Sequence, residues 1–174
     1  MFVQSLLLTF KTLILDSDSL NASAFHALYM GRFHIWTDGS SYGNPGPSGY
    51  GYRMDFNGDT VRLGFGPLGN MTNNEAEYIA VKKALEEATM YSNNPKQDKV
   101  IINTDSQLLV RHNDGKYNVK KPMLVKIMKE IGVLQENFLN VVIRHIGRKN
   151  NAVADYLANQ GSIQSKKRTD TSNG

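Results

Sequence analysis

The chain has 174 residues, of which 40% are hydrophobic and 21% are charged, a composition typical of one globular domain and unlike that of disordered or fibrous chains. It contains no cysteine, which excludes disulfides, thiolate metal sites and cysteine nucleophiles, so any metal must be held by oxygen or imidazole ligands. The formal net charge of +4 favours approach to a polyanion without requiring one.

Residues 1–32 differ in composition from the rest of the chain. Their first half is apolar, but Lys11 interrupts it and Asp16 and Asp18 follow it, so the segment is too short and too broken to span a bilayer. Three interpretations are open: an amphipathic helix that packs on the domain, an organellar targeting segment, and translated sequence upstream of a true start at Met30. The two acids argue against a transit peptide. We favour a dispensable N-terminal extension.

The next region is rich in β-forming residues. The run FHIWT, closed by Asp38, predicts a first strand, and a turn rich in glycine and proline follows it. The alternating run GYGYRMDF predicts a second strand and the run DTVRLGFG a third. Between these two, Asn57 and Gly58 predict a tight hairpin.

A helical pattern follows the three strands. Apolar side chains recur at helical spacing from Asn73 to about Tyr91, and either Asn73 or Asn74 is suited to cap this helix. The continuous apolar run KVIINT then predicts a buried strand that ends at Asp105. A second helix is expected from Ser106.

The remaining elements complete an α/β pattern. A third helix is predicted to begin near Pro122, the run NVVIRHI predicts a fifth strand, and a last helix begins near Asn150. This order of elements predicts a mixed sheet with helices on its faces. The final run SKKRTDTSNG has no apolar residue to anchor it, so residues 162–174 are predicted to form a disordered polar and basic tail.

Four acids stand where acids are unusual: Asp38, Glu77, Asp105 and Asp155. Each alone is ordinarily a surface residue or a cap. Asp38 and Asp105, however, close two strands that can meet at one edge of a sheet, where a pair of carboxylates repels unless a cation lies between them. Carboxylate oxygens are the ligands that Mg²⁺ prefers, and a two-metal site for phosphate chemistry needs several of them.

Four segments resemble the motif blocks of the type 1 ribonuclease H family, in the family's order: TDGSSYGNPGPSGYG, TNNEAEYIAV, TDSQLLV and RHIGRKNNAVADYLA. The resemblance covers Phe33 to about Gln160. It implies a catalytic domain over residues 33–161, built as a five-stranded mixed sheet with helices on both faces. It also implies an endonuclease that hydrolyses the RNA strand of RNA–DNA hybrids and leaves 3′-hydroxyl and 5′-phosphate ends. The expected cofactor is a pair of Mg²⁺ ions, with Mn²⁺ as the alternative.

By this resemblance Asp38, Glu77, Asp105 and Asp155 are the metal-binding and catalytic acids. Glu75 is a rival to Glu77, but the position of the acid in the family's block selects Glu77 and leaves Glu75 as a surface residue.

His145 matches a position where many members of the family carry a mobile histidine that assists catalysis or product release. The alternative, an ordinary histidine at a strand end, stays open. Arg148 and Lys149 stand where bacterial members have a second histidine followed by proline, and the run RKNNAVAD is more similar to compact archaeal and plant-like members.

The resemblance also implies residues that contact the substrate, through backbone shape and the 2′-hydroxyl rather than base edges. Turn and cap chemistry explains several of these residues equally well. The predicted substrate-binding residues are Gly39, Ser40, Asn44, Thr72, Asn73 and Gln107.

The long basic insertion of some relatives is missing between Asp105 and the last strand, so affinity should be modest and sensitive to salt. Lys116, Lys120 and Lys121 are candidates to replace part of it.

The expected partner is the RNA–DNA hybrid, with no membrane association and no obligate protein partner, for a monomer in the cytoplasm. Three alternatives remain: a nuclease for structured DNA, a domain of a reverse transcriptase, and a hybrid-binding module without activity. The presence of all four acids argues against the last of these.

Overall fold

A computed structural model describes residues 30–172, and the interpretations of the N-terminal extension fall on residues that lie almost wholly outside this range. The chain divides into two units, Met1–Met30 and Gly31–Gly174, and the second unit contains the fold described below. Its strands are β1 (Arg32–Ser41), β2 (Gly46–Phe56), β3 (Asp59–Met71), β4 (Lys99–Thr104) and β5 (Asn140–His145). The helices within the described range are α1 (Asn73–Tyr91), α2 (Gln107–Asn113), α3 (Pro122–Gln135) and α4 (Ala152–Ser172).

The five strands form one mixed sheet, as predicted, and their order in the sheet is β3-β2-β1-β4-β5. β1, β2 and β3 are antiparallel, and the hairpin between β2 and β3 is confirmed: Asn57 and Gly58 have φ of 53° and 100°, the left-handed values that a tight hairpin turn needs. β4 and β5 run parallel to β1, and Thr37 of β1 pairs with Thr104 of β4. The positions that follow these threonines are Asp38 and Asp105.

The main core lies between one face of the sheet and helices α1, α2 and α3. Side chains alternate along each strand, so Phe33 and Ile35 of β1 enter this core together with Tyr52 and Met54 of β2. The helices contribute a stripe of buried residues to the same cluster, which includes Val81, Leu85, Leu109, Leu124, Ile127 and Ile131. The helical periodicities read from the sequence are therefore core-facing stripes.

Helix α4 packs on the opposite face of the sheet, against β1, β2 and β3. Glycines on β2 permit the close approach: a Cβ atom on Gly51 would lie 2.3 Å from the backbone nitrogen of Ala158, and one on Gly49 would lie 2.2 Å from that of Ser162. Helices therefore cover both faces, as the family resemblance implies. No helix within residues 30–172 is long and apolar enough to cross a membrane.

The predicted C-terminal tail is wrong over residues 162–172, which continue α4 as a helix. Ser162 and Ser165 are buried, and Ser165 Oγ accepts a hydrogen bond from the N–H of Gly69 and donates one to its carbonyl, at 3.1 and 3.2 Å. Small polar side chains against glycine-rich strands anchor this turn of helix. The tail was predicted because the run SKKRTDTSNG has no apolar residue, but the helix does not need one to pack here.

Two strand and helix ends also differ from the predictions. β1 does not end at Asp38 but continues to Ser41, because its pairing with β2 outlasts its pairing with β4. Helix α1 is capped by Thr72 rather than Asn73 or Asn74: the Thr72 hydroxyl accepts from the N–H of Glu75, whose carboxylate accepts from the N–H of Thr72. This is a capping box.

Candidate active site

The four predicted acids meet at one polar pocket of about 150 Å³, although they come from four different elements. β1 supplies Asp38, α1 supplies Glu77, the residue after β4 is Asp105, and the first turn of α4 supplies Asp155. The pocket is lined by Asp38, Gly39, Ser40, Asn73, Glu77, Asp105, Arg148, Asp155 and Asn159.

Asp38 is the most deeply placed of these acids, with 7% of its surface exposed. Burial and the nearby charge of Asp105 raise its pKa to about 8, with smaller contributions from Glu77 and Asp155, while the N–H of Gly39, which donates to Oδ1 at 2.8 Å, opposes the rise. A carboxyl group whose pKa is shifted this far by burial and neighbouring acids is typical of a functional site.

Glu77 is held by two polar neighbours. Its pKa is raised by burial and by Asp105, whereas hydrogen bonds from Ser106 and Asn73 favour the charged form. Asn73 Nδ2 donates to Glu77 Oε1 at 2.7 Å, one helical turn away on α1. The carboxylate is therefore oriented by residues at the starts of two helices.

Asp105 is held by an asparagine that the sequence analysis did not single out. Asn151, which directly precedes α4 and is 1% exposed, donates through Nδ2 to Asp105 Oδ1 at 3.2 Å and to the carbonyl of Thr37 at 3.0 Å. One amide thus connects the middle of β1 and the residue after β4 to the start of α4.

Among residues 30–172, Asp155 is the acid of the four that has an ion-pair partner. Arg148 Nη2 lies 2.9 Å from Asp155 Oδ1, and the Arg148 side chain is 79% exposed. On the other side, Asn159 Nδ2 donates to Asp155 Oδ2 at 3.3 Å, and Ser40 Oγ donates to Asn159 Oδ1 at 2.7 Å. A positive group already sits at the rim of this acidic pocket.

Residues 30–163 match the family model described as RNase H. The chain belongs to the ribonuclease H family. It is 35% identical over 131 residues to a ribonuclease HI of Halobacterium salinarum, covering 75% of this chain and 64% of the archaeal protein, so it spans about two thirds of that relative's length. It is also 35% identical over 155 residues to a ribonuclease H of Nitrosomonas eutropha, covering 79% of this chain and 95% of that protein.

Among solved structures, LC11-RNase H1, isolated from compost, in complex with an RNA/DNA hybrid is similar, with a TM-score of 0.72 and 36% identity over 76% of this chain and 98% of that one. The ribonuclease H fold is therefore confirmed. The likeness to the Halobacterium protein also supports the predicted similarity to archaeal members of type 1.

Members of the ribonuclease H family depend on a divalent metal, and the donor set here fits such an ion. All four acids offer hard oxygen ligands. Within residues 30–172, no group of three or more Asp, Glu or His side chains is arranged so that it could hold a metal ion by itself. This is compatible with Mg²⁺, which binds through one or two carboxylates and completes its shell with water and phosphate oxygens.

The predicted substrate-binding residues fall at different distances from the acids. Gly39, Ser40 and Asn73 line the pocket. Asn44 is close to it, since its Oδ1 accepts from the N–H of Asn73 at 3.2 Å. Thr72 lies at the start of α1 as its cap.

Gln107 and His145 do not line the pocket. Gln107 is exposed at the first position of α2, and His145 is exposed at the end of β5, where it pairs in register with Thr104. His145 is thus one position short of the level of Asp105. The two interpretations of this histidine remain open.

Glu75 is not the surface residue that the sequence analysis expected. Its side chain is 13% exposed, it completes the capping box with Thr72, and Lys121 Nζ lies 3.1 Å from its Oε1. The pattern T-x-x-E at residues 72–75 is the sequence signature of a capping box. The capping role explains why Glu75 lies two residues before Glu77 without taking part in metal binding.

Proposed function

We propose that this protein is an endonuclease that hydrolyses the RNA strand of RNA–DNA hybrids and leaves 3′-hydroxyl and 5′-phosphate ends. The observation that carries the proposal is the convergence of Asp38, Glu77, Asp105 and Asp155 on one pocket in a chain of the ribonuclease H family. The hybrid bound in the related LC11-RNase H1 structure supports this choice of substrate.

We propose that two Mg²⁺ ions, or Mn²⁺ in their place, are held by the four acids. When bound, such ions supply the charge that activates water and stabilises a leaving oxygen. Asp38 and Asp105, which directly follow the paired residues Thr37 and Thr104, would be among the ligands that hold these ions. Burial and the neighbouring acids raise the pKa of Asp38, and a bound divalent ion would supply the positive charge that favours its ionised form.

The polar neighbours of the acids keep the ligands in place. Asn73 and Ser106 restrain Glu77, and Asn151 restrains Asp105, so the ligand oxygens are oriented before an ion arrives. Such pre-orientation is what partners of metal ligands ordinarily provide. The shell around the acids is therefore part of the proposed catalytic machinery, as positioning residues.

For the substrate, we propose that Gly39, Ser40, Asn44, Asn73 and Gln107 face the RNA strand. Thr72 is proposed to meet a phosphate of the DNA strand, supported by Lys121, whose Nζ lies 3.3 Å from the Thr72 hydroxyl. Lys121 also pairs with Glu75, whose Oε1 lies 3.1 Å from its Nζ, so an ion pair stands beside the Thr72 hydroxyl. We further propose that the protein acts as a monomer in the cytoplasm, without an obligate protein partner.

The test is cleavage of an end-labelled RNA–DNA hybrid beside duplex RNA and duplex DNA of the same sequence, with Mg²⁺ or with EDTA. We expect cutting of the RNA strand of the hybrid only, in Mg²⁺ only, with 5′-phosphate ends on the downstream products. Cleavage of a branched DNA in preference to the hybrid would support the structured-DNA alternative. Binding without cleavage in either metal would indicate a module without activity.

A further inference from the structure

The sheet face that carries α4 is only partly covered. α4 packs on β1, β2 and β3 but makes no extensive contact with β4 or β5. On these two strands Val100, Ile102 and Ile143 enter the main core, so the alternate residues Ile101 and Val142 face the side of α4. Val142 is 48% exposed. Half of this face is therefore open in the described part of the chain.

The open half has a regular layout because β1, β4 and β5 are parallel and in register. Its three rungs are Arg32–Lys99–Asn140, His34–Ile101–Val142 and Trp36–Asn103–Arg144. The next position on the same face of β1 is Asp38. At about 3.3 Å per residue, the face extends about 20 Å from the active-site edge to Arg32. We call the surface formed by Arg32, His34, Trp36, Lys99, Val142 and Arg144 the open face.

The open face is positively charged. Arg32, Lys99 and Arg144 are exposed and form no ion pair with any residue in the range 30–172. The acid beside it, Asp55, is neutralised by Arg53, whose Nη2 lies 2.6 Å from its Oδ2. The charge of the face is therefore available to an anionic partner.

The open face also carries aromatic rings between its cations. Trp36 and His34 are half-buried neighbours with ring centroids 6.4 Å apart, and the guanidinium of Arg53 lies 4.9 Å from the centre of the Trp36 ring. Beyond them, a concavity of about 400 Å³ lies between Arg32, Lys99 and Val142. Aromatic rings among cations along a track are the chemistry of single-stranded nucleic acid binding, in which bases stack and phosphates are neutralised.

We propose that the open face binds a single-stranded RNA tail that continues from the hybrid in the active site. The proposal rests on the proposed function and adds a preferred substrate, a hybrid with an RNA overhang. An acidic protein segment would also be attracted by the cations. We favour RNA because the open face is continuous with the active site: Trp36 and Asp38 lie on the same face of β1. An RNA strand that leaves the acids on this side therefore passes over the open face.

The only tryptophan of the chain is Trp36, so intrinsic tryptophan fluorescence reports on the open face alone. The experiment uses the full chain with Asp105→Asn, in which we expect cutting to be at least about a hundredfold slower. Three substrates are compared: a blunt hybrid and the same hybrid with an RNA tail of about eight nucleotides at its 3′ or its 5′ end. We expect one of the two tails to bind about tenfold more tightly than the blunt hybrid and to change the Trp36 emission beyond the change caused by the blunt hybrid.

A second variant locates the effect. Arg32→Glu with Lys99→Glu, at the end of the face far from the acids, should remove the advantage of the tail and leave the affinity for the blunt hybrid unchanged. Lys129→Glu is the matched control, because this exposed lysine lies on α3, which packs on α1 across the sheet from α4. It should leave the advantage of the tail intact.

Equal affinity for tailed and blunt hybrids, with the same Trp36 emission, would overturn the proposal. An emission change with poly-glutamate but with neither RNA tail would also overturn it, in favour of an acidic protein partner. The native chain is assayed in parallel for cleavage of the blunt hybrid. If it does not cut, the proposed function fails; if it cuts but tails have no effect, only the open-face proposal fails.

Discussion

At the scale of single residues, the site is an acidic cluster whose charge is only partly balanced. Asp38 is buried beside three other carboxylates, and Arg148, which lines the pocket, pairs with Asp155 at the rim. In a metal-free protein, this arrangement makes ionisation of Asp38 costly. Two measurable consequences follow.

The first concerns stability against pH. The Asp38 pKa is about 8 in the folded protein and 3.8 in the reference state, so the folded state retains a proton that the unfolded chain has lost between these values. The protonated Asp38 side chain therefore contributes to the free energy of unfolding in full below pH 3.8, and this contribution is lost as pH rises through 8. In EDTA at pH 8, Asp38→Asn should raise the free energy of unfolding by about 1–3 kcal/mol, measured by urea titration.

The matched control for this measurement is Asp59→Asn, at an exposed aspartate outside the pocket. Asp59→Asn should follow the native pH profile, whereas Asp38→Asn should flatten it between pH 4 and 8. Identical pH profiles for Asp38→Asn and the native chain would show that the charge of Asp38 does not destabilise the folded protein.

The second consequence concerns metal affinity. Arg148 and a divalent ion would compete for the carboxylate of Asp155, since Arg148 Nη2 lies 2.9 Å from its Oδ1. Arg148→Ala should therefore strengthen Mg²⁺ binding by about two- to fivefold in calorimetry, a small factor because the ion pair is exposed. Lys149→Ala, in the same turn, is the control and should have no effect. Weaker binding in Arg148→Ala would mean that this arginine supports the metal site instead of competing for it.

The sequence predicted which side chains lie close together where the arrangement of the strands alone determines it. Asp38 and Asp105 were predicted to lie close together because each was expected to close one of two neighbouring strands. β1 continues past Asp38, but the pairing of Thr37 with Thr104 still brings the two acids side by side. Asn151 and Asn159 were missed, because their roles depend on how α4 is docked against the sheet. In the sequence alone, an asparagine before a helix or one turn after an acid does not indicate that it will bind a catalytic carboxylate.

At the scale of elements, α4 links the stability of the fold to the active site. It carries Asp155, and it lies against Gly51 of β2, which pairs with Asp38. The backbone of the helix can approach the strand only because this position has no side chain. The sequence shows a glycine-rich strand but not which helix it receives.

A single methyl group tests this contact. In Gly51→Ala, the new Cβ would lie 2.3 Å from the nitrogen of Ala158 and 2.6 Å from the carbonyl oxygen of Ala154, so the helix must move away from the strand. We expect a loss of about 1–3 kcal/mol in the free energy of unfolding and a fall in cleavage, because Asp155 moves with the helix.

Gly132→Ala on α3 is the control, since a Cβ atom there meets nothing within 4 Å. It should stabilise the protein by up to about 1 kcal/mol through a better helix propensity. If Gly51→Ala retained native stability and activity, the close packing of α4 on β2 would be contradicted.

Some elements could be predicted from their own residues, whereas others depend on contacts with distant parts of the chain. The hairpin at Asn57 and Gly58, the buried strand β4 and the helix from Pro122 were predicted from the residues themselves. The end of α4 was not, because Ser162 and Ser165 are polar and only the glycines of β2 and β3 make them suitable anchors. The Thr72 cap was readable from its T-x-x-E pattern and was overlooked beside two asparagines.

At the scale of the whole molecule, the chain consists of a unit from Gly31 onward that contains every residue of the proposed site, and a separate unit of Met1–Met30. A variant that begins at Met30 should therefore fold with a cooperative thermal transition and cut a blunt hybrid at close to the native rate. A rate reduced tenfold or more, with the fold intact, would show that the N-terminal segment takes part in activity.

The most direct test of the central claim is the rate of hybrid cleavage in Mg²⁺ by three proteins at saturating enzyme: the native chain, Asp105→Asn and Asp114→Asn. Asp105→Asn keeps the shape of a carboxylate but removes its charge, and Asp114→Asn is the control, since Asp114 pairs with Lys116 and does not line the pocket. The four-acid site predicts native rates for Asp114→Asn and a loss of at least about a hundredfold for Asp105→Asn. Cleavage of the hybrid by Asp105→Asn at the native rate would contradict it.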